Sequence, residues 1–369
     1  MRAIVLVCND LVTDRRVERT CSALLKCGYD VQLIGRVLPD SLPMDARSYQ
    51  VCRMRLLFNR HAWFYAELNL RLFFYILFNK VDLIYVNDLD TLLGGWLASR
   101  IKRKKLIYDS HEYFTEMPEL QHNEFAYRIW LCIEKWILPT LKNTLTVNQS
   151  IADIYNKKYG LNMIAVRNIS VNKTDWSVNS RSEIGLPEDK FIIVLQGTGI
   201  NVDRGGEELV TAMQWINGLL LIIGNGDAVP LLRKMVVELN LEQKVTFIPK
   251  QNARQLHSYT ANANLGMSVD KNTNLNYYYS LPNKLFDYIQ AGIPVLASDL
   301  PVIANVIEQY HVGDVFPSHE PSLLANSINA LINNPERLLQ YRTHLEIAAQ
   351  ELCWEKEEEK LLALIKKCQ

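Results

Sequence analysis

The chain has no paired-cysteine framework: its seven cysteines (8, 21, 27, 52, 132, 353 and 368) are scattered, odd in number and without a CxxC spacing. That pattern fits reduced thiols in a cytoplasmic protein and speaks against a structural zinc site. Also missing are GxSxG, a cysteine with an obvious base, GxxxxGK[ST] and a full GxGxxG. Triad hydrolysis, P-loop ATP hydrolysis and ordinary dinucleotide redox chemistry therefore lose their signatures. Asp88-Leu89-Asp90 is the one short DxD run and lies in the first half, where it does not demand a metal. There is no repeat of solenoid period and no low-complexity tract. No clean apolar run of membrane-spanning length occurs, since the most hydrophobic stretch, 61–78, is interrupted by Glu67, Asn69 and Arg71. The bland reading of 61–78 is a core-facing helix on a sheet, and the sharper one is an interfacial helix with Trp63, Phe64 and nearby arginines. The opening MRAIVLVCND turns polar at once and reads as a first strand, not a signal peptide.

Net charge is absent as well, but unevenly so. Residues 1–168 carry 23 Lys+Arg against 17 Asp+Glu, and the remainder carries the reverse. The basic clusters are Arg53, Arg55 and Arg60, then residues 100–105, which suit nucleic acid, an anionic membrane leaflet or plain solvated surface. With 49% hydrophobic and 22% charged residues, the composition is that of an ordinary globular protein, and 369 residues call for two domains.

Strand-like runs at 3–7, 31–34, 83–86, 106–108 and 144–147 alternate with helix-length segments, the pattern of βα units in a doubly wound sheet. Residues 169–190 are polar and aperiodic and read as a connection. The alternation then restarts with strands at 192–195, 219–223, 245–248, 265–269 and 295–297, and helices from about 322 to 367 close the chain. Two Rossmann-like domains are expected, 1–168 and 169–369, with the final helix a candidate to pack back on the first.

Residues 274–299 hold the most informative pattern. Ser280 and Pro282 suit a helix start, with serine capping free N–H groups and proline tolerated in the first turn. Gly292 and Pro294 suit its end before a buried strand. A helix N-terminus at the crevice of a parallel sheet favours anions, and Asn283 and Asp287, four apart, share a face. Gln196-Gly197-Thr198-Gly199, Asp203-Arg204-Gly205-Gly206 and Gly224-Asn225-Gly226-Asp227 are loops that either admit a ligand to the backbone or simply turn. In the first half, Asp109-Ser110-His111-Glu112 after a strand suits hydrogen bonding or proton transfer at His111, or a structural histidine. Asn87-Asp88-Leu89-Asp90 suits a ligand site or an aspartate N-cap, and Asp14-Arg15-Arg16 a cleft or a charged surface.

Taken in order, VTDRRVER, VNDLDTL, YDSHEYFTEMPEL, RGGEELVTAM, LLLIIGNGD, VTFIPK and SLPNKLFDYIQAGIPVLASD resemble the family 4 glycosyltransferases over nearly the whole chain. The resemblance implies a GT-B fold, two Rossmann-like domains facing each other across a cleft. It further implies a metal-independent, retaining hexosyltransferase of surface polysaccharide biosynthesis, cytoplasmic or peripheral on the inner membrane face. Donor binding would fall to Gly197, Thr198, Gly199, Arg204, Gly224, Asn225, Gly226 and Pro249, and to Tyr279, Ser280, Leu281, Pro282, Asn283, Lys284, Leu285 and Asp287. His111 and Asp287 would be catalytic, and Asp14, Arg15, Asp88 and Glu112 would meet the acceptor. The co-substrate would be a UDP-, GDP- or ADP-sugar with no resident cofactor. The partners would be a glycan or polyprenyl-diphosphate-linked acceptor and an anionic membrane surface, with no nucleic acid. Tyr279 stands where the family's first acidic signature residue would fall, and Thr198 where an arginine is usual. A same-fold epimerase, or a weakly active partner of another transferase, are the alternatives.

Overall fold

The structure is a computed structural model that describes residues 1–12, 14–38, 41 and 43–369. The chain forms two units: the first contains 1–168, 274–276 and 357–369, the second 169–273 and 277–356. The last helix, Trp354–Lys367, thus contributes its final residues to the first unit.

The first unit is built on seven parallel strands, β1 (Arg2–Asp10), β2 (Asp30–Arg36), β3 (Gln50–Met54), β4 (Leu83–Asn87), β5 (Lys105–Ser110), β6 (Asn143–Thr146) and β7 (Ile164–Ala165), in the order 3-2-1-4-5-6-7. The second unit repeats the winding with β8 (Ile192–Gly197), β9 (Leu219–Gly224), β10 (Val245–Ile248), β11 (Leu265–Ser268), β12 (Val295–Ser298) and β13 (Gly313–Phe316), in the order 10-9-8-11-12-13. Central strands are apolar without alternation because helices cover both faces: Leu83–Asn87 and residues 192–196 are buried throughout. Strands β3, β7 and β13 lie at sheet edges, are short and half-exposed, and lack the apolar run that reveals their central neighbours. In each sheet the winding reverses direction between two adjacent strands, β1 and β4 or β8 and β11, and ligands of such sheets gather beyond the strand ends there.

The polar residues of 61–78 have local duties. In the His61–Phe78 helix, Asn69 donates to Asp90 O (2.7 Å) and accepts from Gly94 N (2.8 Å), joining it to the Asp88–Lys102 helix. A Cβ on Gly94 would stand 2.4 Å from Asn69 O, so the two helices cross too closely for any side chain there. Asn69→Ala is expected to cost about 1–3 kcal/mol by stranding buried partners, read as a lower urea midpoint at unchanged slope.

Candidate functional site

At the C-terminal ends of β4 and β5, charged side chains are fixed by one another. Arg16 donates from Nε and Nη2 to Asp109 (3.0 and 2.6 Å) and from Nη1 to Val166 O (2.8 Å), all buried. Tyr85 adds its hydroxyl to Asp109 at 2.9 Å. Burial raises the Asp109 carboxyl, but the charges of Arg16 and His111 outweigh it and hold the group well below the usual carboxylate range.

His111 is anchored twice to Asp88, through its amide (2.7 Å) and through Nδ1 (3.2 Å), and its Nε2 lies 3.0 Å from Asn87 Oδ1 and 3.7 Å from Asp109. The Asn87 amide is oriented by donating its Nδ2 to Leu6 O (2.9 Å). Both ring nitrogens therefore face acceptors, which only the doubly protonated imidazolium can satisfy. Burial pushes the His111 pKa down, but Asp88 and Asp109 raise it to about 9. His111 is accordingly held as a cation at neutral pH, the form that donates hydrogen bonds from both ring nitrogens. Burial raises Asp88, with His111 opposing, and its φ of 58° lies in the left-handed region. Side chains in that region cost about 1–2 kcal/mol, which the double anchor to His111 offsets. Neither Asn87 nor Asp88 caps its helix by side chain, contrary to the capping alternative.

Beside this centre, burial and Asp88 lift Glu112 to about 7, and burial and Asp88 lift Asp90 likewise to about 7. Asn276, a residue the sequence did not mark, donates to Glu112 at 2.8 Å and accepts the Tyr113 amide at 3.1 Å. Asp14 and Arg15 have local settings. Asp14 is the N-cap of the Arg15–Lys26 helix, accepting from Val17 N, and Arg15 points to solvent while Arg16 carries the buried pairing.

In the second unit, Asp270, just past β11, lies 3.1 Å from Lys284 Nζ and 3.7 Å from Arg204 Nη1. Burial alone would raise the Asp270 carboxyl, yet Lys284 and Arg204 lower it. The Arg204 guanidinium also lies 4.1 Å over the Tyr277 ring, and its buried Nε has no hydrogen-bond partner among the described residues. Two cations thus share one carboxylate beyond the end of the sheet and retain a net positive charge. Asp270 was not foreseen, because nothing in SVDKN identifies which cations its carboxylate meets.

The 274–299 stretch needs correction. Its helix is Asn283–Gln290, with Pro282 at the N-cap and no side-chain cap, so Ser280 does not cap it and instead donates its amide to Tyr277 O (3.1 Å). The uncapped first turn and Lys284 make a positive end. Leu285 is wholly buried in the core, and Leu281 packs against that core, so any donor contact from Leu285 is limited to its main chain. Asn283 is exposed, but Asp287 is occupied: it accepts from Lys173 (2.7 Å) and from the Ser170 hydroxyl, with Gln196 at 3.4 Å. Both Ser170 and Lys173 come from the 169–190 connection. Tyr279 is half-buried and packs edge-on against Tyr278 at 4.9 Å.

The glycine loops after β8 and β9 are latched to each other, Asn225 N to Gly197 O and Ile200 N to Asn225 O, both at 3.1 Å. At Gly224, φ is 129° and a Cβ would stand 1.8 Å from Gly197 O, so close loop packing explains that glycine before any ligand does. Gly197 and Gly226 are half-exposed, while Thr198, Gly199, Asn225 and Pro249 are exposed. Among the described residues, no group of three or more His, Cys, Asp or Glu is arranged to hold a metal ion.

Residues 13–170 match the model described as Glycosyltransferase Family 4, and residues 179–351 the one described as Glycosyl transferases group 1. Among solved structures, the chain is similar to a sucrose-phosphate synthase from Thermosynechococcus elongatus (TM-score 0.81, 19% identity, covering 100% of this chain and 99% of that one). It is also similar to Anabaena HepE in complex with UDP-glucose (TM-score 0.75, 16% identity, 100% of both chains). A third similar structure is WaaG, described as a glycosyltransferase involved in lipopolysaccharide biosynthesis (TM-score 0.73, 14% identity, 98% and 99%). At these identities the likeness establishes the GT-B fold. No curated protein matches the chain.

Proposed function

We propose, from the premise that this chain belongs to the family 4 glycosyltransferases, that it moves a hexosyl group from a nucleotide-sugar to a glycan or lipid-linked acceptor with retained configuration. The donor belongs to the second unit and the acceptor to the first, and the product feeds surface polysaccharide synthesis on the cytoplasmic side of a membrane. No resident cofactor or metal takes part in this reading.

The observation that carries it is the Arg204–Asp270–Lys284 cluster beside the uncapped end of the Asn283–Gln290 helix. Breaking a sugar–phosphate bond leaves negative charge on the departing diphosphate, and pre-positioned cations and helix amides stabilise such charge without reorganising. Arg204, with an unbonded Nε and a ring beneath it, is set to offer N–H groups to phosphate oxygens. The acceptor hydroxyl attacks from the face that the diphosphate leaves, and its proton passes to the departing phosphate, so no covalent enzyme intermediate forms. His111 contributes a fixed positive charge and Glu112 a carboxyl near its titration point for an acceptor hydroxyl.

HepE was solved with UDP and with UDP-glucose, which makes uridine nucleotides the first to test. A melting-temperature screen over UDP-, GDP- and ADP-sugars is expected to show one nucleotide that stabilises the protein, since a ligand of the native state alone raises its melting point. No shift with any nucleotide would count against a donor site. Consumption of a single nucleotide-sugar to an isomer, with no acceptor present, would identify an epimerase instead.

Asp287 favours a second reading, a weakly active partner of another transferase, because the carboxylate expected at the ribose is already bound by Lys173 and Ser170. Lys173→Met is expected to tighten nucleotide binding several-fold by calorimetry if the ribose must compete for Asp287. Unchanged affinity would mean that the ribose does not use this carboxylate.

A further inference from the structure

The His61–Phe78 helix is apolar on the face it should not be. Phe64, Leu68, Leu72 and Ile76 are buried against the first unit, as a core helix requires. Yet Trp63, Leu70, Phe74 and Phe78, which share the opposite side at helical spacing, are 69%, 58%, 46% and 83% exposed. An exposed apolar stripe on the side opposite the buried face marks an interaction surface. The stripe runs about 22 Å at 1.5 Å per residue. Phe74 and Phe78 stack at 6.3 Å, and at the other end Trp63 lies 6.0 Å from Phe58, itself exposed beside Leu57.

The charges around the stripe are one-sided. Residues 51–81 hold five Lys/Arg and one acidic residue, Glu67. Arg55, Arg60 and Lys80 are exposed. Glu67 is consumed internally, accepting the Leu57 and Phe58 amides (2.9 to 3.0 Å) and pairing with Arg71 at 2.6 Å, so it offers little charge to a partner. Lys102 Nζ donates to the carbonyls of Ile76, Leu77 and Asn79, which satisfies acceptors at the C-terminal end. The Glu124–Ile137 helix also exposes apolar residues, Phe125, Ile129 and Trp136. That helix is joined to the layer by the Tyr65–Trp130 and Trp96–Trp136 edge contacts at 5.0 and 4.9 Å.

We infer that this face docks on an anionic lipid bilayer, with the His61–Phe78 helix lying in the plane of the surface. A helix carrying exposed aromatic side chains and flanked by guanidinium and ammonium groups matches acyl chains beneath anionic headgroups. Among the described residues no helix is long and apolar enough to cross a membrane, in keeping with a helix that lies in the surface rather than spanning it. The inference deepens the membrane-side part of the proposed function, since docking here would bring the acceptor-side unit to lipid-linked substrates.

The test is co-sedimentation of the full-length protein with phosphatidylcholine vesicles and with vesicles also containing phosphatidylglycerol, beside UDP binding by calorimetry on the same samples. Expected are binding to the anionic vesicles only, its loss in Leu70→Ser/Phe74→Ser/Phe78→Ser, and a drop of about thirtyfold in Arg55→Gln/Arg60→Gln, given the attraction each cation contributes near such a surface. Melting temperature and UDP affinity should match the wild type in both variants. Equal partition onto neutral vesicles, or wild-type binding by the triple variant, would overturn the docking face. So would a concentration-dependent dimer that the triple variant abolishes while wild type ignores vesicles, because a second copy would then be the cover. Vesicle binding without UDP binding would instead sink the donor reading and leave the docking face standing.

Discussion

Asp109→Ala is expected to cost about 3–5 kcal/mol of stability, a loss far larger than any surface ion pair could cause. The substitution leaves the Arg16 guanidinium buried with only Val166 O as a partner and strips the Tyr85 hydroxyl of its acceptor. Urea denaturation would check this, and a cost below about 1 kcal/mol, the range of exposed pairs, would mean that the pairing is not as buried as it stands. The same variant should act on His111, which loses both a charge and a hydrogen-bonding neighbour. In the wild type the folded His111 pKa, about 9, exceeds the unfolded value of about 6.5. Its contribution to stability is therefore fully present below about pH 6.5 and lost as pH rises through about 9. Asp109 has the opposite sign: its pKa is lowered on folding, so its contribution is present above about pH 4 and lost as pH falls below that. Removing Asp109 should narrow the alkaline window and pull the His111 ring titration, followed by NMR, to lower pH.

The second large effect is expected at Arg204 and Lys284, the cations proposed to meet the diphosphate. Arg204→Ala and Lys284→Ala should each lower kcat about 10²- to 10³-fold, the range seen when one pre-positioned stabiliser of developing negative charge is removed. The double variant should fall short of the product of the two single losses, because Arg204 and Lys284 share Asp270 and removing either alone leaves that carboxylate to the other. Steady-state kinetics with the nucleotide-sugar chosen by the melting screen would measure it. A single variant with unchanged kcat would remove that residue from the leaving-group site. Asp270→Asn offers a control in which both cations stay but their common anchor weakens, and a larger effect on kcat than on KM is expected if position rather than charge matters.

Much of the fold was legible in sequence because apolar runs and glycine stops are local signals. The central strands β1, β2, β4, β8, β9, β11 and β12 follow from runs that helices cover on both faces, and the edge strand β10 was legible from its own short apolar run, while the edge strands β3, β7 and β13 were illegible because they carry no such run. At the site, His111, Arg204 and Lys284 were legible as residue types beside strand ends. Their partners were not. Ser280 as a cap was a sound local inference that lost to the loop ending at Pro282, and no local pattern marked Lys173 as the partner of Asp287.

The sequence by itself therefore determined the alternation of strands and helices, the two-fold repetition of the winding and the positions where chain reversals bring loops to a ligand edge. Only the tertiary structure decided which charges meet there. Arg16 and Asp109 are 93 residues apart, Ser170 and Asp287 117, and each pair depends on strand order and helix packing that no local pattern encodes. A carboxylate such as Asp270 or Asp287 looks the same in sequence whether it is solvated, shared between cations or already taken. The low dielectric around a buried pair makes that difference decisive for what the group can do.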